Sequence, residues 1–414
     1  MKVLHINKFY YPQGGAEQYF FDLTKLLEQR GVSVVPFAME HPKNIKTRYR
    51  SNFVSQVNFE KPSTVREKAR VVGRMIYSLE ARRKVKELVV AEKPDIVHLE
   101  NIYHQLSPSF LSLLHNKFRL PIVQTLHDYK LICPNEFLFT QGAVCERCKT
   151  HKYYNAARYR CVKNSTAGGA AVALEMYVHR LFRFYERNVD LWIAPSQFMR
   201  DKMVGWGKDP NQFRVLNNFV DTRAFTPNPS EKDYFLFVGR LATERGVPMI
   251  IKAAKRVPNV KIKIAGTGPE EEYLKGLVRS EGLENNIEFL GFVPHDQIPQ
   301  LMAQSLALLF PTEVYEGYPL VVLEAFACGR AVLGTDLGAT GDMIAEGERG
   351  AKFMQGDHIM LARLMEFVRS NPKERATWGR NARRYAEARS TENYSREILN
   401  IYQELLAKRQ TTKP

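Results

Sequence analysis

Two carboxylates, Glu316 and Glu324, stand eight positions apart at a predicted junction between a loop and a helix. Gly317 and Pro319 lie between them, and proline suits the first turn of a helix because the amide that it lacks would have no partner there. A carboxylate on the loop and another inside the helix could each bind hydroxyl groups. The same spacing also fits an ordinary amphipathic helix with two solvated glutamates.

The backbone that follows Pro319 could bind an anion. The amides of Leu320 and Val321 would point out of the helix N-terminus, at the positive end of the helix dipole, which favours a phosphate. With a hydroxyl-binding carboxylate on either side of that phosphate, the segment suits a sugar joined to a nucleotide through a diphosphate.

Two arginines follow a predicted strand in the same half of the chain. Arg240 and Arg245 lie in the loop that enters the next helix. Two guanidinium groups there could neutralise a diphosphate and stabilise the charge that grows as it departs. The alternative is a pair of surface arginines.

Glycines follow two other predicted strands. Gly14 and Gly15 open the first helix, and Gly266 and Gly268 form a later turn. Glycine lets a backbone approach a ligand closely, and amides at a helix start favour an anion. A tight turn explains either pair equally well.

His127 follows a predicted strand of the first half, with His98 and His104 as weaker candidates. A histidine near a strand end is more often a satisfied structural group than a catalyst. The chain has no Asp-x-Asp triplet that would carry a divalent ion on a diphosphate, and it has no Walker-type loop.

The segment around the two glutamates resembles the E-x7-E segment of retaining family-4 glycosyltransferases, which have the two-domain GT-B architecture. Pro319 departs from the glycine that is common in that family. The likeness covers nearly the whole chain, because further landmarks of the family recur in order at both ends. Residues 239–246 also resemble the family's Gly-Arg-Leu…Glu-Lys-Gly stretch, with Arg245 in place of the usual lysine. The matching residues of the E-x7-E segment are Glu316, Gly317, Leu320, Glu324, Ala325 and Gly329.

The resemblance implies a role for each candidate. His127 and Glu316 would bind the transferred sugar, and Arg240 and Arg245 would stabilise the leaving diphosphate. Glu324 would bind the ribose hydroxyls. The remaining substrate-binding positions that it implies are Gly14, Gly15, Gly266, Gly268, Val293, Gly317, Tyr318, Leu320 and Val321.

Short apolar runs alternate with helical periods in both halves, which predicts an α/β protein with parallel sheets covered on both faces. We expect a GT-B fold, with two Rossmann-like doubly wound domains facing a central cleft. The expected N-terminal, acceptor-side domain is residues 1–212, the nucleotide-sugar-binding domain is residues 213–391, and a helix over residues 392–414 returns to the first domain. A proline-dotted connector is expected over residues 221–229.

The positive charge is concentrated in the first half. The formal net charge is +16, and residues 1–190 hold 30 Lys and Arg against 17 Asp and Glu. Such a surface suits an anionic membrane, although solvated helix faces explain it as well. Because no run of about 18 apolar residues occurs, we expect a cytoplasmic protein, peripheral at the inner membrane face.

Four of the five cysteines cluster in a predicted loop over residues 133–161. A pair of cysteines with two residues between them, such as Cys145 and Cys148, can hold zinc, and the outer two cysteines would complete four thiolate ligands. The four candidate ligands for a structural zinc are Cys133, Cys145, Cys148 and Cys161. Thiols that bind no metal are the alternative.

The sequence therefore predicts a retaining, metal-independent glycosyltransferase of hexosyltransferase type, acting in cell-surface polysaccharide or lipopolysaccharide biosynthesis. Its expected partners are a nucleotide-diphosphate sugar and a glycan or lipid-linked acceptor, with no nucleic acid and no required cofactor. The rival interpretations are another GT-B enzyme, such as a phosphorylase or a sugar-nucleotide epimerase, and a basic nucleic-acid-binding protein. The second rival explains the charge but not the ordered series of phosphate-suited loops.

Overall fold

Apolar runs in both halves of the chain form strands. The computed structural model describes residues 1–57, 64–228 and 230–411. The strands in chain order are β1 (Lys2–Ile6), β2 (Ser33–Phe37), β3 (Ile96–Leu99), β4 (Ile122–Thr125), β5 (Phe139–Thr140), β6 (Ala143–Val144), β7 (Leu191–Ala194), β8 (Phe213–Val215), β9 (Phe235–Val238), β10 (Ile262–Ala265), β11 (Ile287–Gly291), β12 (Ala307–Phe310), β13 (Ala331–Thr335) and β14 (Gly350–Phe353).

Two six-stranded sheets organise the chain. The first has the strand order β2-β1-β3-β4-β7-β8, the second has the order β11-β10-β9-β12-β13-β14, and β5 and β6 form a separate two-stranded sheet. All pairings within the two large sheets are parallel. Each sheet has its first strand inside, with later strands added on both sides, which is the doubly wound arrangement. The predicted pair of Rossmann-like domains is confirmed.

Helices connect the strands and cover the sheets. Within the described residues, no helix combines the length and the apolar character needed to cross a membrane. The helices are α1 (Gly15–Gln29), α2 (Val65–Ile76), α3 (Leu79–Glu92), α4 (Asn155–Arg158), α5 (Thr166–Phe182), α6 (Gln197–Gly205), α7 (Val247–Ala254), α8 (Glu271–Ser280), α9 (Ile298–Ala303), α10 (Leu320–Ala327), α11 (Ala339–Ile344), α12 (His358–Ser370), α13 (Pro372–Glu387) and α14 (Thr391–Thr411).

The central strands bury both of their faces. In β9, Phe235 and Phe237 join one apolar cluster, whereas Leu236 joins a second cluster. Successive side chains of a strand point to opposite faces, so the two clusters lie on opposite sides of the sheet. This double burial explains why the strands were recognisable as continuous apolar runs.

The chain divides into two units near residue 216. Unit 1 contains residues 1–138, 146–216 and 395–414, and unit 2 contains residues 139–145 and 217–394. The expected boundary between residues 212 and 213 falls before β8, although β8 pairs with β7 and so belongs to the first sheet. A strand of three residues gave too short an apolar pattern to be recognised.

The last helix, α14, belongs to unit 1 from residue 395 onward. Its Tyr402 is fully buried, and the hydroxyl lies 2.5 Å from Nδ1 of His98 on β3. Glu404 also accepts a hydrogen bond from Arg214 at 2.8 Å. Residues 412–414 of the expected helix and residue 229 of the expected connector lie outside the described residues.

Close backbone packing requires two of the predicted ligand-binding glycines. A Cβ atom at Gly266 would lie 1.9 Å from the carbonyl oxygen of Gly239, and one at Gly268 would lie 2.2 Å from that of Leu241. These turns therefore need glycine for the fold itself, and a ligand is not required to explain them.

We predict that Gly268→Ala lowers the free energy of unfolding by about 1–3 kcal/mol, because the added methyl group meets backbone that cannot move aside cheaply. Gly276, in α8, has nothing within 4 Å of its would-be Cβ atom. The matched Gly276→Ala change should instead be neutral or stabilising by up to about 1 kcal/mol. Urea unfolding of both variants checks this, and equal stabilities would contradict it.

Candidate active site

The carboxyl ends of β1, β3 and β4 in unit 1 bring a glutamate together with three histidines. Oε1 of Glu100 lies 2.8 Å from Nε2 of His5, and Oε2 lies 2.6 Å from Nε2 of His127. Nε2 of His98 lies 3.5 Å from the same Oε1. We refer to these four residues as the His/Glu cluster. Glu100 was not predicted, although a carboxylate directly after a buried strand was a usable signal.

Hydroxyl groups complete the hydrogen bonds of the cluster. Oγ1 of Thr24 lies 2.9 Å from Nδ1 of His5, and Oγ1 of Thr125 lies 2.8 Å from Nε2 of His98. Tyr402 occupies the other ring nitrogen of His98. The cluster is thus anchored by α1, by β4 and by the last helix.

Part of the cluster has the geometry of a metal site. Among the residues that the structure describes, the ligand atoms of His5, His98 and Glu100 lie within 4.8 Å of one another. All three side chains are fully buried. Hydroxyl groups and the carboxyl group already engage these atoms, so hydrogen bonding accounts for the arrangement.

Burial keeps the imidazoles of the cluster neutral. Burial, and then the charge of Lys8, lower the pKa of His127 to about 3. Burial, and then His127, lower the pKa of His98 to about 3, whereas burial and the nearby Glu17 raise the pKa of Glu100 well above its usual value. His127 is therefore a neutral hydrogen-bonding group near neutral pH. Because its Nε2 faces Glu100, Nδ1 is the ring nitrogen left for a ligand.

The predicted anion site at the start of α1 contains a carboxyl group of the chain itself. Gly14 is the exposed N-cap residue, and α1 begins at Gly15. Glu17 is buried in the first turn, where burial raises its pKa while Lys8 and backbone hydrogen bonds that include Gly14 oppose the rise. A bound anion would have to share Lys8 and these backbone amides with the carboxyl group of Glu17. The glycine pattern in the sequence could not reveal this competition.

The two predicted arginines of unit 2 differ in their contacts. Nη1 of Arg245 donates to Oε1 of Glu316 at 2.6 Å, and Oγ1 of Thr312 donates to the same oxygen at 3.2 Å. Arg240 is exposed and makes no side-chain hydrogen bond or ion pair within the described part of the chain. One cation is therefore fixed beside the first glutamate, and the other is available.

The helix after the first glutamate starts as predicted. Pro319 is the N-cap residue of α10, with φ −69° and ψ 121°, and no side chain caps the helix. Leu320 and Val321 are partly exposed. Among the described residues, neither backbone amide has a hydrogen-bond acceptor, as is usual for the first turn of a helix.

Gly317 and Tyr318 are not equally placed for a ligand. Gly317 is partly exposed, whereas Tyr318 is buried in the core of unit 2, and its hydroxyl lies 2.9 Å from that of Tyr385. Asn218 donates to the Tyr318 carbonyl at 2.9 Å. The side chain of Tyr318 therefore serves packing, which leaves at most its amide for the binding role that the sequence predicted.

Glu324 lies inside α10 and meets a histidine that was not predicted. Nε2 of His295 lies 3.1 Å from Oε1 of Glu324. His295 follows β11 in the loop that also contains the partly buried Val293 and the largely exposed Phe292. An isolated histidine in a polar loop carried no pattern that could have identified it.

The four clustered cysteines differ in exposure. Cys133 and Cys148 are buried, whereas Cys145 and Cys161 are partly exposed. Zinc binding by this set stays a prediction, which metal analysis of the purified protein would test.

We predict that the buried imidazole of His98 makes stability fall in acid. The pKa of His98 is about 3 in the folded chain against a usual value of 6.5. The contribution of neutral His98 to the free energy of unfolding is therefore complete above pH 6.5. It is lost as the pH falls towards 3, by up to about 1.4 kcal/mol per pH unit. Urea unfolding at several pH values should show a shallower acid loss in His98→Gln than in the parent chain, because the lowered pKa values of His5 and His127 still contribute in the variant.

His115 supplies a control of the opposite sign. A hydrogen bond with Asp190 raises the pKa of His115. The contribution of His115 to the free energy of unfolding is present below pH 6.5. It is lost as the pH rises through the pKa that His115 has in the folded chain. His115→Gln should therefore change the pH dependence in the other direction, and parallel curves for the parent and both variants would refute the assignment.

Comparisons with known proteins agree with this architecture. The family described as Glycosyltransferase Family 4 matches residues 13–224, and the family described as Glycosyl transferases group 1 matches residues 219–385. An "uncharacterized 42.6 kDa protein in cps region" of Klebsiella pneumoniae is 23% identical over 354 residues, which cover 82% of this chain and 86% of that protein.

Two solved structures share the fold. HepE of Anabaena, solved in complex with UDP, has a TM-score of 0.67 at 20% identity and covers 98% of this chain and 100% of its own. Sucrose-phosphate synthase of Thermosynechococcus elongatus has a TM-score of 0.74 at 18% identity, covering 98% of this chain and 99% of its own. Since the family-4 match spans more than half of the residues, the chain belongs to glycosyltransferase family 4 and has the GT-B fold.

Proposed function

We propose that this glycosyltransferase retains anomeric configuration, needs no metal ion and transfers a hexosyl group from a nucleotide-diphosphate sugar to a glycan or lipid-linked acceptor. The observation that carries the proposal is the set of donors on the loops that follow β9 and β12 and at the start of α10. Arg245 is fixed there, Arg240 is unpaired within the described chain, and the first amides of α10 have no acceptor.

A buried donor without a partner supports a phosphate ligand at this position. Nε of Arg245 is buried and has no hydrogen-bond partner among the described residues. Leaving such a donor unpaired costs about 1–3 kcal/mol, which a phosphate oxygen would offset. The complexes of HepE with UDP and with UDP-glucose further support a nucleotide-diphosphate sugar as the donor.

The resemblance to the family gives each remaining candidate a proposed role towards such a donor. Glu324 with His295 would bind the ribose hydroxyls, and main-chain atoms near Gly266 and Val293 would contact the base. Glu316 would hold hydroxyls of the sugar. His127, neutral because of its burial, would donate or accept one hydrogen bond through Nδ1.

The proposed reaction takes place on one face of the sugar. The bond between the anomeric carbon and the phosphate oxygen breaks as the acceptor oxygen forms its bond to that carbon. The departing phosphate oxygen takes the proton of the acceptor hydroxyl, and the arginines stabilise the diphosphate charge. NMR of the first product should show the anomeric configuration of the donor, with rates unchanged by EDTA, and an inverted product would refute this route.

We also propose that the chain works at the inner membrane face in the assembly of cell-surface polysaccharide or lipopolysaccharide. Exposed cations on α2 and α3 support this placement, among them Arg66, Arg70, Arg83 and Lys86. Attraction to anionic lipid is worth about 1 kcal/mol for each cation near the surface. The chain should sediment with phosphatidylserine vesicles more completely at low salt than at high salt. Sedimentation that low salt does not increase would exclude this placement.

We predict that Arg240→Gln weakens binding of the preferred nucleotide diphosphate by about tenfold or more, because a charge-assisted hydrogen bond is lost. Calorimetry with UDP, GDP and ADP would first identify that nucleotide and then measure the variant.

Arg256→Gln is the matched control. Arg256 is also exposed and without a side-chain partner in the described chain, but it follows the carboxyl end of α7. In a parallel sheet that position lies at the edge away from the strand ends that bind ligands. Equal affinities for the two variants, or no binding of any of the three nucleotides, would contradict the proposal.

A further inference from the structure

A cavity of about 540 Å³ lies in unit 1, and every residue that lines it belongs to that unit. Its lining includes Lys130, which follows His127 by three residues, and Tyr103, whose hydroxyl accepts a hydrogen bond from Gln124 on β4 at 3.2 Å. The cavity thus adjoins the loop that carries the predicted active-site histidine. None of the residues assigned to the sugar-nucleotide donor lines it.

The cavity contains polar atoms that are buried without a partner. Tyr185 and Trp206 line it and are only 5% and 7% exposed. The hydroxyl of Tyr185, Nε1 of Trp206 and Oε2 of Glu186 have no hydrogen-bond partner among the described residues. Buried polar atoms are rarely left in this state, so a ligand with several hydroxyl groups would suit these donors and acceptors.

Two cations of the lining have no ion-pair partner within the described chain, although the charge of Arg183 helps to lower the pKa of Glu186. Lys130 pairs with Glu175 at 3.0 Å, and Lys208 pairs with Glu186 at 2.5 Å. Arg180 and Arg183 also line the cavity, but their side chains make no hydrogen bond or ion pair within the described chain. A guanidinium group can donate two parallel hydrogen bonds to the oxygens of one phosphate. These two arginines therefore favour an anionic ligand over a neutral one.

Aromatic and aliphatic groups supply the rest of the surface. The ring centroids of Tyr153 and Tyr177 lie 5.1 Å apart in the wall of the cavity. The face of an aromatic ring can stack on the apolar face of a sugar ring. At the rim, Leu181 is 76% exposed, and the neighbouring Phe182 is 56% exposed. Exposed apolar side chains beside cations suit an acyl or prenyl chain next to a phosphate.

We infer that this cavity binds a phosphate-bearing sugar unit of the acceptor that is remote from the reacting hydroxyl, because Trp206 follows the carboxyl end of α6 and so lies away from the strand ends that bind ligands. The inference rests on the proposed transferase function and narrows its acceptor to an anionic one. Arg180 and Arg183 bind the phosphate, and Tyr185, Glu186 and Trp206 bind the sugar hydroxyls. The phosphate could belong to a lipid-linked diphosphate sugar or to a free sugar phosphate.

The test measures binding directly on the full chain. The nucleotide site is first saturated with the preferred nucleotide diphosphate, so that a sugar phosphate cannot bind there. N-acetylglucosamine 1-phosphate and plain N-acetylglucosamine are then titrated by calorimetry. We expect saturable binding of the phosphate compound, and binding weaker by about tenfold or more for the neutral sugar.

Variants assign that binding to the cavity. The double change Arg180→Gln and Arg183→Gln should weaken binding of the sugar phosphate by about tenfold or more, without changing nucleotide affinity. Arg187→Gln is the control, since Arg187 is exposed on the same segment but does not line the cavity. No saturable binding of the phosphate compound, equal binding of the neutral sugar, or equal effects of the double variant and the control would each overturn the inference.

A prenylated probe separates the two sources of the phosphate. If the acceptor is lipid-linked, Leu181→Ser should weaken binding of N-acetylglucosamine linked to farnesyl diphosphate. The same change should leave binding of the free sugar phosphate unaltered. Equal binding of both probes by this variant supports the free sugar phosphate. If no nucleotide binds but the two arginines still control sugar-phosphate binding, the proposed function fails and the cavity assignment stands.

Discussion

The ion pair between Arg245 and Glu316 links the loop that follows β9 to the loop that follows β12 in unit 2. Arg245 lies after β9 and Glu316 lies after β12, and these strands are neighbours in the sheet although the residues are 71 positions apart. Parallel strands end at a common edge, so the two loops are adjacent by construction. The pair then fixes the orientation of one guanidinium group and leaves its Nε for another acceptor.

Unit 1 reaches a similar arrangement by different chemistry. A single carboxyl group, Glu100, orients the imidazoles of His5 and His127 by hydrogen bonds at 2.8 and 2.6 Å. Because His5 and Glu100 are fully buried and the side chain of His127 is only 9% exposed, ionisation is suppressed in the imidazoles and opposed in the carboxyl group. His127 is consequently held in place by a network that involves Thr125 and Tyr402 as well, and its neutrality is a property of the fold.

Much of this organisation could be predicted from the sequence. Strands such as Ala307–Phe310 were visible because double burial makes every residue apolar, and the start of α10 was visible because Pro319 limits where a helix can begin. The short strand Phe213–Val215 was not visible, since three residues carry no period. Tyr318 shows a different limit: its position in the E-x7-E segment says nothing about which way its side chain turns.

The contacts that the sequence could not provide are those between distant, single residues. His295 meets Glu324, and Glu100 meets His127, but neither partner stands in a pattern of its own. Glu17 is another case, because only its burial places a carboxyl group at a helix start that looked suited to an anion. The cavity beside Trp206 is lined by residues from separate segments, and no local spacing predicts such a space.

The return of α14 to unit 1 affects the order in which the two units fold during synthesis. Domains usually fold as units while synthesis proceeds from the N-terminus. Here the first sheet leaves the ribosome early, but the ring of His98 lacks its Tyr402 neighbour until residue 402 has been translated. Residues 217–394 can complete their own core before the N-terminal unit does, so the part of the chain that is translated first is the last to mature.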